Sequence, residues 1–217
     1  MIRGRADIAL RFGAASLFIL GATLIVFVAG RYLVGQYRAD VARRQWDERR
    51  AQALVAQARD RANGPTTSVG AIAAGAPVAR LSIPRIRLDE IVIEGVGEDE
   101  LNAGPGHLPG SALPGMRGNA VISAHRDRHF SHLDRLQLGD TIRTETAQSS
   151  GAWVIVGRRV IGRETPALFQ SKEPLLTLTT CWPVRYFGSA PDRLILSAKP
   201  IAGTWADGMR RRSPGQT

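Results

Sequence analysis

This 217-residue sequence predicts a mainly β domain, folded as a sandwich or barrel and preceded by an N-terminal apolar helix. Three observations predict it. From residue 79 onward the chain breaks into short β-rich runs, most of them bounded by Gly, Pro or Asp. In Arg193-Leu194-Ile195-Leu196-Ser197-Ala198-Lys199 polar and apolar residues largely alternate, as a half-buried strand requires. Residues 12–30 form a run of 19 without a charge, which at about 1.5 Å rise per residue nearly spans a hydrocarbon core about 30 Å thick.

In chain order, residues 1–35 read as a signal-anchor segment, with Arg3, Arg5 and Arg11 before the apolar run and Arg31 after it. A cleaved signal peptide carries a shorter apolar region, about 7–15 residues, and Val28-Ala29-Gly30 is a poor cleavage site. An uncleaved anchor is therefore expected. Residues 36–62 lack Gly and Pro and are rich in Ala, Arg and Gln, which predicts a helical stalk. Its apolar positions are sparse (Val41, Trp46, Leu54 and Val55), which describes a solvated spacer. A basic face laid against anionic lipid headgroups is the sharper alternative. Asn63-Gly64-Pro65 stops the helix, and residues 63–78 read as a flexible linker. The globular part, 79–202, contains strand-like runs at 79–84, 86–95, 119–125, 140–146, 152–162, 174–181 and 192–200. Two short helical patches are expected at Glu98–Ala103 and 130–136, and residues 203–217 form a basic tail.

The net charge of +10 invites a nucleic-acid reading, but its distribution argues against one. Residues 1–62 hold 11 Arg and five acids, whereas 79–202 hold 15 Lys and Arg against 13 acids. A nucleic-acid module carries its basic excess on the folded domain, interleaved with aromatics. Here the excess lies in the flanks, so no nucleic-acid partner is expected. A single cysteine excludes an intramolecular disulfide framework and a CxxC zinc knuckle. An apolar fraction of 44% is enough to build a core.

Chemistry-bearing residues cluster at strand ends. Cys181 ends the run Leu175-Leu176-Thr177-Leu178-Thr179-Thr180, at the rim of a sheet where a side chain can face a cleft. Most lone cysteines are instead small buried hydrophobes. His125 ends Asn119-Ala120-Val121-Ile122-Ser123-Ala124 and precedes the charged turn Arg126-Asp127-Arg128, a place suited to proton transfer or metal binding. The spacing of His125, His129 and His132 invites a zinc reading. However, no HExxH helix and no acidic third ligand at helical spacing accompany it, so no metal is expected. His107, within Gly104-Pro105-Gly106-His107-Leu108-Pro109-Gly110, reads as a structural turn residue; that glycine pattern opens no helix after a strand and is no phosphate loop. Glu98, Asp99 and Glu100 open a short helix.

Together these residues resemble the sortase family of cysteine transpeptidases. Thr177-Leu178-Thr179-Thr180-Cys181 fits the family's TLxTC signature, a histidine about sixty residues upstream ends a strand, and an arginine opens the strand after the cysteine. The stretch 104–118 and the following NAVISAHRDRHFSHLDRLQLGDTI are similar to the region around the family histidine, while Cys181-Trp182-Pro183 through Ala190-Pro191-Asp192-Arg193 looks most like the class D or Gram-negative branches. The resemblance covers about 79–202. One departure is Ala124, where many members have Gly before the histidine.

The resemblance implies an eight-stranded β-barrel with short helices behind a transmembrane helix. It implies that Cys181 attacks the Thr carbonyl of an LPxTG-like sorting signal to form a thioester. His125 then protonates the leaving amine and deprotonates the incoming one. Arg193 holds the substrate backbone and the developing oxyanion, a task for an always-charged planar donor. Arg185, in the loop past the cysteine, is the competing arginine. Thr180 and Ala124 are expected beside the substrate, and 158–174 corresponds to the loop that contacts the sorting signal, with Leu168 and Phe169 lining an apolar groove or packing in the core. No cofactor is implied; some relatives depend on calcium, but no convincing carboxylate cluster for it is present. The implied partners are sorting-signal proteins and an amine acceptor, and the implied location is the exported face of a bacterial cytoplasmic membrane. Charge counting opposes that orientation: Arg31, Arg38, Arg43, Arg44, Arg49 and Arg50 follow the span against three arginines before it.

With ordinary pKa values of about 8.5 for Cys and 6.5 for His, thiolate and imidazolium are each about 10% populated near pH 7.5, and the pair together about 1%. Modest turnover and a bell-shaped pH profile are expected. Two other classes stay open: a cysteine protease whose thioester is resolved by water, and a non-catalytic anchored β module that binds an envelope peptide.

Overall fold

The computed structural model describes residues 3–63, 72–165 and 170–205, with side chains of the N-terminal helix placed from residue 13 to residue 55. The segment 64–71 of the expected linker, Leu168 and Phe169 of the expected groove, and 206–217 of the expected tail lie outside the described residues. Helix α1 runs Arg3–Asn63. It is shared by two compact units that divide after Arg38. In the first unit Leu17, Phe18, Ile19, Leu20, Leu24 and Ile25 are all exposed, so the helix is apolar all round. By length and composition this helix can cross a membrane.

The second unit is a closed eight-stranded barrel with the α1 residues from Ala39 onward. Its strands are β1 (Pro77–Ile83), β2 (Leu88–Glu94), β3 (Gly106–His107), β4 (Asn119–Ser123), β5 (Thr141–Thr146), β6 (Ser150–Gly162), β7 (Leu175–Trp182) and β8 (Asp192–Pro200). The order around the barrel is β1-β2-β3-β4-β7-β8-β6-β5. Neighbours are antiparallel except β2–β3 and β4–β7, which are parallel. Parallel neighbours need a long crossover, and the β5–β6 hairpin lies within the one that leads from β4 to β7. Side-chain alternation sends Leu81, Ile122, Ile142, Trp153, Leu178 and Leu196, one from each of six strands, into a common core where they are fully buried. Trp153 donates its indole N–H to Thr144 Oγ1 at 2.8 Å and meets Trp205 edge-on, ring centres 4.8 Å apart. Gly151 is required there, since a Cβ at that position would fall inside the Trp205 indole.

Several elements differ from the sequence expectation. The run 86–95 begins later, because Pro84–Ile86 forms a 3-10 turn closed by Arg87 in the left-handed region (φ 53°). The helical patch at 130–136 shrinks to a 3-10 turn, Leu133–Arg135. Helix α2 (Glu98–Ala103) carries Glu98, Asp99 and Glu100 in its first turn. His107 is not a turn residue: it lies in β3, buried, with Nδ1 2.7 Å from Glu94 Oε2 and Nε2 2.9 Å from both Ala112 O and Ser111 Oγ. Two residues of strand between prolines are too short to show alternation.

The stalk is not a solvated spacer. Trp46, 4% exposed, and Ala42 pack with Ile91 and Ile93 of β2 and Ala103 of α2. Arg43 pairs with Glu90 (3.2 Å), Arg49 donates to Pro77 O (3.1 Å), and Arg50 pairs with Glu145 (2.6 Å). These contacts hold the helix against the barrel at β1, β2 and β5.

Candidate active site

The site is built by register. β4 and β7 run parallel with Asn119 opposite Leu175 and Ser123 opposite Thr179, a constant offset of 56 residues. Thr177 Oγ1 donates to Asn119 Oδ1 at 2.8 Å near the start of this ladder. Past the end of β4, Ala124 N donates to Thr179 O (3.2 Å) and Thr180 Oγ1 donates to Ala124 O (2.8 Å). Continued by two residues, the same offset would set His125 opposite Cys181. On the other side of β7, Cys181 is paired directly with Arg193 of β8. Adjacent strands lie about 4.8 Å apart and alternate residues share a face. Cys181 and Arg193 therefore stand side by side on one face of β7 and β8, and His125 follows β4 two residues past the last paired position, Ser123 opposite Thr179.

Burial changes sharply along β7: Leu176, Thr177, Leu178, Thr179 and Thr180 are buried, whereas Cys181 is exposed. Cys181 is therefore not a small buried hydrophobe. His125 and Arg193 are half-buried. Burial, the leading cause, pushes the His125 imidazole below its ordinary value, and the Arg128 and His129 charges push the same way against Asp127 and Glu98. Arg185 is exposed in the loop that follows Trp182 and is not the register partner of Cys181.

Thr180 and Ala124 are buried, and the Thr180 hydroxyl is engaged with the Ala124 carbonyl. They tie the end of β4 to β7 rather than presenting a free surface. Two of the three histidines of the zinc reading take separate partners: His129 faces Glu90 (3.4 Å) and His132 faces Ser131 (3.0 Å). Among the described residues no three His, Cys, Asp or Glu side chains converge as a metal group.

One residue that the sequence reading passed over as part of a charged turn is Arg126. Its guanidinium donates to Pro183 O (3.0 Å) and to Gly188 O, and lies over the Tyr186 ring (5.7 Å). Arg163 donates to Ser189 Oγ at 3.1 Å from the other side. The loop between β7 and β8, with Tyr186 and Phe187 exposed on it, is thus tied down beside the cysteine. Position next to His125 was the available signal, but the partners lie about sixty residues away.

The fold is the eight-stranded barrel of the cysteine transpeptidases that the sequence resembles. Residues 81–201, more than half of the chain, match the Sortase domain family, and the chain belongs to that family. It is 32% identical over 123 residues to Sortase D of Bacillus subtilis (strain 168), a match covering 56% of this chain and 62% of that protein. Among solved structures it is similar to the Clostridium perfringens Sortase D5 transpeptidase, with 26% identity and a TM-score of 0.62, covering 75% of this chain and 99% of that one. It is also similar to the catalytic domain of B. anthracis SrtD, with 31% identity and a TM-score of 0.51, covering 63% and 95%.

Proposed function

We propose that this sortase-family protein is anchored in a bacterial cytoplasmic membrane by its N-terminal helix. In this reading it joins surface proteins, cut at an LPxTG-like sorting signal, to an amine acceptor on the extracytoplasmic side. What supports the reading is the pairing of Cys181 with Arg193, the β4–β7 register that leads toward His125, and the opening to solvent of Cys181 where its strand neighbours 176–180 are buried.

The Cys181 thiolate attacks the carbonyl carbon of the signal Thr. A C–S bond forms and the Thr–Gly C–N bond breaks, with the His125 imidazolium giving its proton to the departing amine. The neutral imidazole then takes a proton from the acceptor amine, whose nitrogen attacks the thioester and restores the thiolate. Arg193 faces the oxyanion formed in both halves. Thr180 and Ala124 act on the substrate through the pair they support, and the 158–174 segment with Leu168 meets the sorting signal.

The test is the intact mass of the full chain in detergent after mixing with a panel of LPxTG-like peptides. The reading predicts a thioester-sized increase that is absent in Cys181→Ala. No adduct with any peptide, together with a Cys181 inert to thiol reagents, would favour an anchored binding module instead.

A further inference from the structure

We propose that Glu90 is a positioning residue for His125, through which the stalk helix sets the placement of the imidazole. The inference rests on the reading of His125 as the acid–base group. The segment after β4 closes on itself: His125 O accepts from Arg128 N (3.3 Å) and Phe130 N (3.1 Å), and Phe130 is fully buried in the core. His129 sits inside this closed turn. Its Nδ1 lies 3.4 Å from Glu90 Oε1, while its Nε2 is buried with no partner among the described residues. The ring is therefore anchored through Glu90. The second Glu90 oxygen, Oε2, accepts from Arg43 Nη2 of the stalk at 3.2 Å.

One carboxylate thus joins the stalk to the turn that begins at the catalytic histidine. Burial alone would push the Glu90 carboxyl up, but the His129 hydrogen bond and the Arg43 charge outweigh it and hold the group below its ordinary range. A second route runs parallel. Trp46 packs with Ala103 of α2, and Arg128 of the same turn donates to Asn102 Oδ1 of α2 at 2.9 Å. The contacts of Glu90 run to Arg43 and His129, so its effect on the reaction passes through the turn that positions His125.

The experiment compares the full chain in detergent micelles with Arg43→Ala, Glu90→Gln, the double variant and His125→Ala. Turnover of the sorting peptide is counted per titratable Cys181 thiol, and the His125 imidazole resonances are followed by NMR. The proposal expects Glu90→Gln to lower kcat about tenfold with KM nearly unchanged, as a small misplacement of an acid–base group does. Arg43→Ala should act in the same direction and less strongly, and the double variant should be no worse than Glu90→Gln alone. In both single variants the His125 resonances should move. Arg43 is exposed on the helix, so its variant decides the matter if Glu90→Gln does not fold: displaced His125 resonances support the relay. Unmoved His125 resonances with kcat unchanged in Arg43→Ala overturn it. If His125→Ala keeps full turnover, the acid–base reading itself falls and takes the relay with it; if His125→Ala is inactive while the other variants match the parent, only the relay falls.

Discussion

At the scale of single residues, the site depends on charge state and donor geometry. Burial of His125 disfavours its imidazolium, so near pH 7.5 the imidazolium is scarcer than the roughly 10% that an ordinary imidazole gives. It is lost as pH rises through a His125 pKa that lies below its ordinary value and is complete below that pKa, where lower pH only removes the thiolate that attack requires. The acid limb of kcat/KM is predicted below about pH 6.5; an acid limb above pH 7, measured on the full chain, contradicts this assignment. Arg193 is predicted to tolerate no conservative change, because Lys cannot present two fixed donors at once. Arg193→Lys should lower kcat/KM about 10²-fold with the fold intact. An unaffected rate would return the role to Arg185.

Residue by residue, the proposed reacting groups were legible because each stands at one end of a strand whose apolar core shows in the sequence: Val121 and Ile122 before His125, Leu176 and Leu178 before Cys181, Leu194 and Leu196 after Arg193. Their alignment was not legible, because the register between β4 and β7 is set by long-range pairing. Arg126 and the Arg43–Glu90–His129 chain were missed for the same reason: each partner is ordinary alone and acquires meaning only from contacts across the barrel.

At the scale of elements, the stalk is the main revision. Four scattered apolar residues in a basic helix describe a spacer, and helix periodicity has little to detect there. One of them, Trp46, finds a complementary patch made by Ile91, Ile93 and Ala103. Large-to-small changes at buried aromatic sites cost about 3–5 kcal/mol. Trp46→Ala is predicted to lower the stability of the second unit by about 3 kcal/mol, read from its unfolding midpoint in denaturant. A midpoint equal to that of the parent would reinstate the solvated spacer. The arginines flanking Trp46 also bear on orientation. Arg43, Arg49 and Arg50, three of the six that follow the apolar run, have barrel partners. Their presence answers to docking, which weakens the charge count as a guide to topology.

At the scale of the whole molecule, an apolar helix long enough to cross a membrane and a sortase-family barrel are what support the proposal of a membrane-tethered enzyme with its reaction on the exported face. A reporter active only outside the cytoplasm, fused after residue 217, is predicted to be active; a silent exported reporter with an active cytoplasmic one contradicts the location. Transfer to an amine, rather than cleavage, is the central claim. Its most direct measurement is the partition of products when the full chain acts on a labelled sorting peptide with and without an added amine nucleophile. The account predicts that the amine converts most of the released acyl fragment into a new amide-linked product, at a rate that needs Cys181. Release of the free acid alone, unchanged by the amine at any concentration, would show that water resolves the thioester and that the protein is a cysteine protease.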